Sequence, residues 1–191
     1  MEIEVSVLSI PEGLSKWDLV TKYLRLRKEV FIDQRAWPLY QREDMEFEQY
    51  DTVNSVYIIA HARSEVVGGA RLLPTSHQVG TGKFTYTYMI RDAYRNILPG
   101  LPSGLCRDEP PTDPKVWELT RLASTGSASI GGVILREANR FLKSRGATSC
   151  LFLGPPAFMR MAGRMGFEPV ALGEETGNDD GTFQVFSCAV S

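Results

Sequence analysis

Histidine is scarce in this chain, with only His61 and His77 among 191 residues. Neither lies in a motif with a serine, cysteine or acid that would make a nucleophilic dyad or triad, so acyl-enzyme chemistry of that kind has no candidate. Cysteine is scarce too. Cys106, Cys150 and Cys188 show none of the close pairs that hold zinc, and the acids show no calcium-loop spacing, so no metal site is expected. The thiols read as reduced, mostly packed side chains of a cytosolic protein. Long hydrophobic runs are also missing. The start, Met1-Glu2-Ile3-Glu4-Val5, carries two acids and no apolar stretch of signal-peptide length, and no later run approaches a membrane span. Neither charge sign dominates, since 21 Lys and Arg face 23 Asp and Glu for a formal net charge of -2. A nucleic-acid binder is normally basic, so that class is set aside. No repeat or long linker is found, and one domain over residues 1–191, cytoplasmic and without membrane attachment, is expected.

What is present is alternating strand and helix pattern. Ile3, Val5 and Val7 alternate with polar residues as a strand that Pro11-Glu12-Gly13 ends, and a helix capped by Ser15 follows. Residues 55–62 and 66–73 read as a hairpin, with Gly68-Gly69 marking a bulge or a close backbone approach. Residues 74–114 are rich in breakers, with a short helical or extended piece within 88–97. A central strand over 117–123, a helix over 127–145 and a buried strand over 149–153 come next. The chain closes with a helix over 155–165 and strands over 167–170 and 182–190, the last two separated by a flexible Gly- and acid-rich connection from Gly173.

Charges inside the apolar segments stand out against this frame. Trp117-Glu118-Leu119-Thr120-Arg121-Leu122 sets a carboxylate and a guanidinium three apart in an apolar run, which is costly unless each is paired or used. In a regular strand such residues face opposite sides, so sharing one cleft requires a bulge or strand end between them. Arg71, in Gly69-Ala70-Arg71-Leu72-Leu73-Pro74, is a candidate partner for Glu118 across the sheet. Arg27 shares the helix face of Val20, Leu24 and Phe31, either pairing structurally or pointing into a cleft. The loop from Trp37 to Asp51 interleaves Trp37, Phe47 and Tyr50 with acids, which suits either a solvated acidic loop or a cationic ligand.

These blocks together resemble the acyl-homoserine lactone synthases of the LuxI type. The resemblance rests on Arg27-Lys28-Glu29-Val30-Phe31, Trp37, Glu46 to Asp51, Gly69 to Thr75 and Trp117 to Leu122, in the family's order and at similar separations. It covers the first two-thirds of the chain, and the last third by element order. It implies an α/β fold similar to the Gcn5-related N-acetyltransferases, a central twisted mixed sheet flanked by helices and split to make an acyl channel. Carried over, the family's charged and aromatic set falls on Arg27, Phe31, Trp37, Glu48, Asp51, Arg71, Glu118 and Arg121. Where the family usually has Asp, this chain has the longer Glu48.

The implied substrates are S-adenosylmethionine and an acyl thioester on acyl carrier protein or coenzyme A, with no further cofactor. Arg27, Phe31, Trp37, Glu48 and Asp51 then bind S-adenosylmethionine, and Glu118, Arg121, Arg71 and Asp51 form the catalytic set. Glu118 is either the base that takes the amine proton or a group that orients the amine in an ion cluster. Leu119, Phe152 and Leu153 line the acyl pocket. Some relatives that accept 3-oxo chains place a Thr where Phe152 aligns, so an unsubstituted short, branched or aryl acyl group is expected. Arg136, Arg140, Lys143 and Arg145 form either a solvated helix face or a docking face for an acidic carrier.

Two rival classes remain. An ordinary acetyl-coenzyme A N-acetyltransferase needs a pyrophosphate-cradling turn that Arg121 to Ser127 does not complete. A non-catalytic ligand sensor on the same fold differs only in lacking turnover.

Overall fold

The computed structural model describes residues 2–82, 84–98, 100–102, 104–126 and 128–191. In chain order the elements are β1 (Glu4–Leu8), a 3-10 turn (Leu14–Lys16), α1 (Trp17–Arg27) running into a π-helical turn (Lys28–Asp33), β2 (Gln41–Arg42), β3 (Met45–Glu46), β4 (Val56–Ala62) and β5 (Glu65–Pro74). Then come β6 (Val79–Thr81), β7 (Phe84–Tyr86), α2 (Met89–Tyr94), β8 (Val116–Ser124), α3 (Ala128–Ser144) and β9 (Ser149–Gly154). The chain ends with α4 (Pro156–Arg164), β10 (Pro169–Ala171), β11 (Thr176–Asn178) and β12 (Gly181–Ala189). The fold is mixed α/β, as expected. The chain divides into two compact units, residues 1–72 with 120–141, and residues 73–119 with 142–191.

In the first unit β1, β4 and β5 form an antiparallel ladder, with Val5 opposite Ala60 and Ile58 opposite Ala70. The apolar face of α1 is buried with residues of these strands, bringing Leu19, Val20, Tyr23, Leu24 and Leu26 into one core with Leu8, Tyr57, Ile59 and Ala123. The expected irregularity at Gly68-Gly69 is present. The register slips between Ala60 and His61, so Ala60 faces Gly68 while His61 faces Val66, leaving Val67 as the extra residue of a bulge. Gly69 is also a close approach. A Cβ there would lie 2.7 Å from the Tyr23 ring, so only glycine lets that ring lie against β5.

In the second unit the first half of β8 pairs in parallel with β9, Val116 to Ser149 through Leu119 to Phe152. Strand β9 pairs antiparallel with β12, which also carries β10 and β11. This is the mixed part of the sheet. The parallel ladder runs to Leu119 and Phe152, whereas β8 itself continues to Ser124 and β9 to Gly154.

Several local expectations are corrected. Ser15 is not a cap. It sits within the 3-10 turn, and the N-cap place of α1 falls to Lys16, at φ -118 and ψ 23, with no side-chain cap. The loop from Trp37 to Asp51 contains the small β2–β3 ladder, Gln41 opposite Glu46. The breaker-rich region contains the β6–β7 hairpin. The flexible connection after Gly173 contains β11, paired Thr176 to Phe183, which no apolar alternation announced. Ser127, expected to open α3, lies outside the described residues. Cys106, Cys150 and Cys188 are free and buried.

Candidate active site

Three guanidiniums and three carboxylates of the first unit close into a ring of alternating charge. Arg27 donates from Nη1 and Nη2 to both oxygens of Asp51, at 2.7 and 3.0 Å. Asp51 Oδ1 lies 3.1 Å from Arg71 Nη1, and Arg71 Nη2 donates to Glu48 Oε1 at 2.6 Å. Arg121 Nη2 donates to Glu48 Oε2 at 2.6 Å and to Glu46 Oε1 at 3.3 Å. Arg27 Nε completes the circuit to Glu46 Oε2 at 2.5 Å. Formal charge within the ring sums to zero, which is what allows so many ions to share one interior. Four of the side chains are fully buried. Only Glu48 and Arg121 reach solvent, with 12% and 8% of their side chains exposed. The ring therefore opens at the Glu48–Arg121 edge.

The backbone explains how one strand supplies two members of this cluster. Arg121 adopts φ 56 within β8, a left-handed conformation that interrupts the alternation of the strand. As a result two successive residues point into the ring, Thr120 accepting from Arg71 Nη2 at 3.1 Å and Arg121 reaching Glu46 and Glu48. The break expected between Glu118 and Arg121 is thus located. Tyr23 Oη donates to the Arg121 carbonyl at 2.5 Å, and Tyr57 Oη donates to Asp51 Oδ1 at 3.0 Å.

Electrostatics follow from this packing. Burial by itself would raise the Asp51 carboxyl, but Arg71 and Arg27, with the hydrogen bonds from Arg27 and from the Glu48 N–H, hold it well below the usual carboxylate range. Burial likewise opposes ionisation of Glu48, and Arg121, Arg71 and Arg27 outweigh it to hold that carboxyl low. Burial pushes the Tyr23 and Tyr57 phenols up, so both are neutral donors.

Aromatic rings flank the exposed edge. Phe31 and Trp37 stack at 5.3 Å between centroids and 2° between planes, with Arg121 over Phe31 at 5.8 Å and Arg35 over Trp37 at 5.3 Å. The π-helical turn supplies Phe31, and the Trp37 N–H donates back to the Phe31 carbonyl at 3.0 Å. The two rings lie against each other as a stack.

Glu118 belongs to the second unit and is fully buried. Its Oε1 accepts from the Ile90 N–H at 2.7 Å and its Oε2 from the Met89 N–H at 3.2 Å. These are orphan donors at the start of α2, where Tyr88 provides no side-chain cap. Within the first unit Arg71 donates to Glu48 and Thr120 and forms an ion pair with Asp51. In the same unit Phe152 stacks on Phe186 at 5.0 Å and meets Phe158 edge-on at 5.6 Å, with Leu119 buried and Leu153 half-buried. Arg136, Arg140, Lys143 and Arg145 are exposed, Arg140 pairing with Glu137 of the same helix.

Sequence reading missed the roles of Glu46, Tyr23, Tyr57, Thr120, Phe158 and Phe186. One signal was available, since Glu46 and Glu48 are two apart and share a face wherever the chain is extended.

The model of the family described as autoinducer synthase matches residues 14–123, more than half of the chain and a span that holds every member of the ring. The chain belongs to this family. Among its relatives, the acyl-homoserine-lactone synthase of Acinetobacter nosocomialis is 26% identical over 185 residues, covering 90% of this chain and 91% of that protein. The crystal structure of TofI in a ternary complex with an inhibitor and MTA aligns at TM-score 0.76 and 26% identity, covering 100% of this chain and 92% of that one. BjaI, a CoA-dependent acyl-homoserine lactone synthase solved with SAM and isopentyl-CoA, aligns at TM-score 0.78 and 19% identity, covering 100% of this chain and 84% of that one. An acyl-CoA N-acyltransferase from Pseudomonas aeruginosa aligns at TM-score 0.58 and 13% identity, covering 97% of this chain and 99% of that one. The likeness to the last two is one of fold, and it bears out the expected kinship between autoinducer synthase and N-acyltransferase architectures.

Proposed function

We propose that this family member makes an acyl-homoserine lactone signal in the cytoplasm from S-adenosylmethionine and an acyl thioester, and that the amino-acid end of S-adenosylmethionine enters at the Glu48–Arg121 edge. The observation that carries this reading is the neutral ring of six charges, four with fully buried side chains, and a single edge reaching solvent. A zwitterion inserted there exchanges one internal ion pair for two, its carboxylate taking Arg121 and its ammonium taking Glu48. The longer Glu48 already spans Arg71 and Arg121 with its two oxygens. The adenine and sulfonium add to the Phe31–Trp37 stack, whose faces suit an aromatic ring and a cation.

Acyl transfer then follows from position. The free-base amine, about a tenth of an α-amino group at neutral pH when its pKa is near 8, attacks the thioester carbonyl and the thiol leaves. The methionyl carboxylate next attacks its own γ-carbon, the sulfonium carries away the bonding electrons as 5′-methylthioadenosine, and the lactone closes. Both steps depend on alignment, and closure is intramolecular. Arg71 and Arg27 act by fixing Asp51 and Glu48. Glu118, whose oxygens already accept two backbone amides, fixes the start of α2. Leu119, Leu153 and the Phe152–Phe158–Phe186 group suit a short unsubstituted, branched or aryl acyl chain. The exposed Arg136, Arg140, Lys143 and Arg145 suit an acidic carrier.

The test incubates the purified protein with S-adenosylmethionine and a panel of acyl carrier protein and coenzyme A thioesters, with lactone and methylthioadenosine read by mass spectrometry. Equimolar lactone and methylthioadenosine from a short, branched or aryl donor is the expected result. A long 3-oxo lactone as main product would refute the acyl assignment, and no turnover with any donor would refute the synthase.

A further inference from the structure

We infer that Tyr23 is a positioning residue for catalysis, holding Arg121 in the left-handed conformation that turns its guanidinium into the charge ring. The inference rests on the assignment of Arg121 to the substrate edge. A non-glycine residue at φ 56 inside a strand is strained, and such a conformation persists only where its surroundings over-determine it. Here the constraint is visible. The kink leaves the Arg121 carbonyl to be satisfied by a side chain, and Tyr23 Oη donates to it at 2.5 Å.

Tyr23 is itself fixed on every side. It is fully buried, its ring lies against β5 where Gly69 has no Cβ, the Tyr57 ring meets it edge-on at 6.1 Å, and the Arg27 guanidinium lies 5.6 Å over it. Its phenol stays neutral and keeps its proton for donation. One rigid hydroxyl therefore connects the helix that carries Arg27 to the backbone of Arg121. Without it the strand is free to return to regular alternation, which would swing Arg121 away from Glu48 and Glu46. Tyr23 touches no substrate in this scheme and works through Arg121 alone.

Tyr23→Phe removes the hydroxyl and keeps the ring. In lactone synthesis it is expected to lose about tenfold or more in kcat/KM. Arg121→Lys supplies the second arm, and the double variant is expected to be no worse than Arg121→Lys alone, because the hydroxyl has then lost what it positions. Multiplied losses in the double variant, or a Tyr23→Phe enzyme within about twofold of wild type, would overturn the inference. A readout independent of turnover is amide hydrogen exchange. Protection should fall selectively at residues 120–124, with β4 unchanged, whereas a uniform fall across β4 and β8 would mean that Tyr23 merely stabilises the fold. Wild-type protein inert with every donor would refute the synthase reading instead, and the exchange pattern would still decide whether Tyr23 holds Arg121.

Discussion

Two buried carboxylate settings in this protein are built on opposite plans. Asp51, Glu48 and Glu46 are neutralised by three guanidiniums in a closed ring, while Glu118 directs its described hydrogen bonds to two main-chain amides at the start of α2. The ring is assembled from α1, β3, the loop after it, β5 and β8, so it reports long-range order and depends on every member. The amide setting joins β8 to the start of α2. A ring of full charges suits a site that must exchange ion pairs with a zwitterion. A carboxylate on backbone amides suits fixing a piece of chain.

Removing one charge from the ring does the most damage. Asp51→Asn keeps the shape but leaves Arg27 and Arg71 facing an amide, with one positive charge uncompensated in a fully buried place. Breaking a buried pair in this way costs about 3–5 kcal/mol, a large part of the about 5–15 kcal/mol that keeps a domain folded. Urea unfolding should show that loss, and S-adenosylmethionine binding should be lost with it. A variant of wild-type stability would mean that the ring is solvated in solution.

Acidification tests the same ring without mutation. The folded Asp51 and Glu48 carboxyls titrate below their unfolded values, near 4 for ordinary carboxylates. Stability from such groups is fully present above the unfolded pKa and lost as pH falls through the folded one. Unfolding free energy should therefore be flat near neutrality and fall as pH drops below about 4, with a shallower fall in Asp51→Asn. Equal slopes in the two proteins would remove Asp51 as a source of acid sensitivity.

How far these settings were legible in the sequence follows from what each is made of. Arg27, Arg71 and Arg121 stood out because guanidiniums in apolar segments demand partners, and the spacing of Glu118 and Arg121 called for a break in β8 if the two were to share one cleft. Glu46 did not stand out, because one acid in an acidic loop looks solvated until the fold closes over it. Tyr23 was hidden for the opposite reason: an aromatic on the apolar face of a helix reads as core, and nothing in the pattern reveals that its hydroxyl meets a kinked carbonyl ninety-eight residues away. Strand β11 was invisible because no apolar alternation announced it.

Glu118→Gln sharpens the contrast with the smallest expected effect. The amide offers one acceptor oxygen, so one of the Met89 and Ile90 N–H groups keeps its partner and the other faces an NH₂. Leaving a buried donor unsatisfied costs about 1–3 kcal/mol, less than the loss in Asp51→Asn. Faster amide exchange at residues 89–90 should accompany it. Turnover is expected to fall about tenfold through the loosened start of α2, with the shape of the pH–rate profile retained, because in this reading the amine reacts from its free-base fraction and Glu118 takes no proton from it. Loss of the acidic limb of that profile, with α2 still protected, would instead make Glu118 the general base and turn the amide setting into a reactive one.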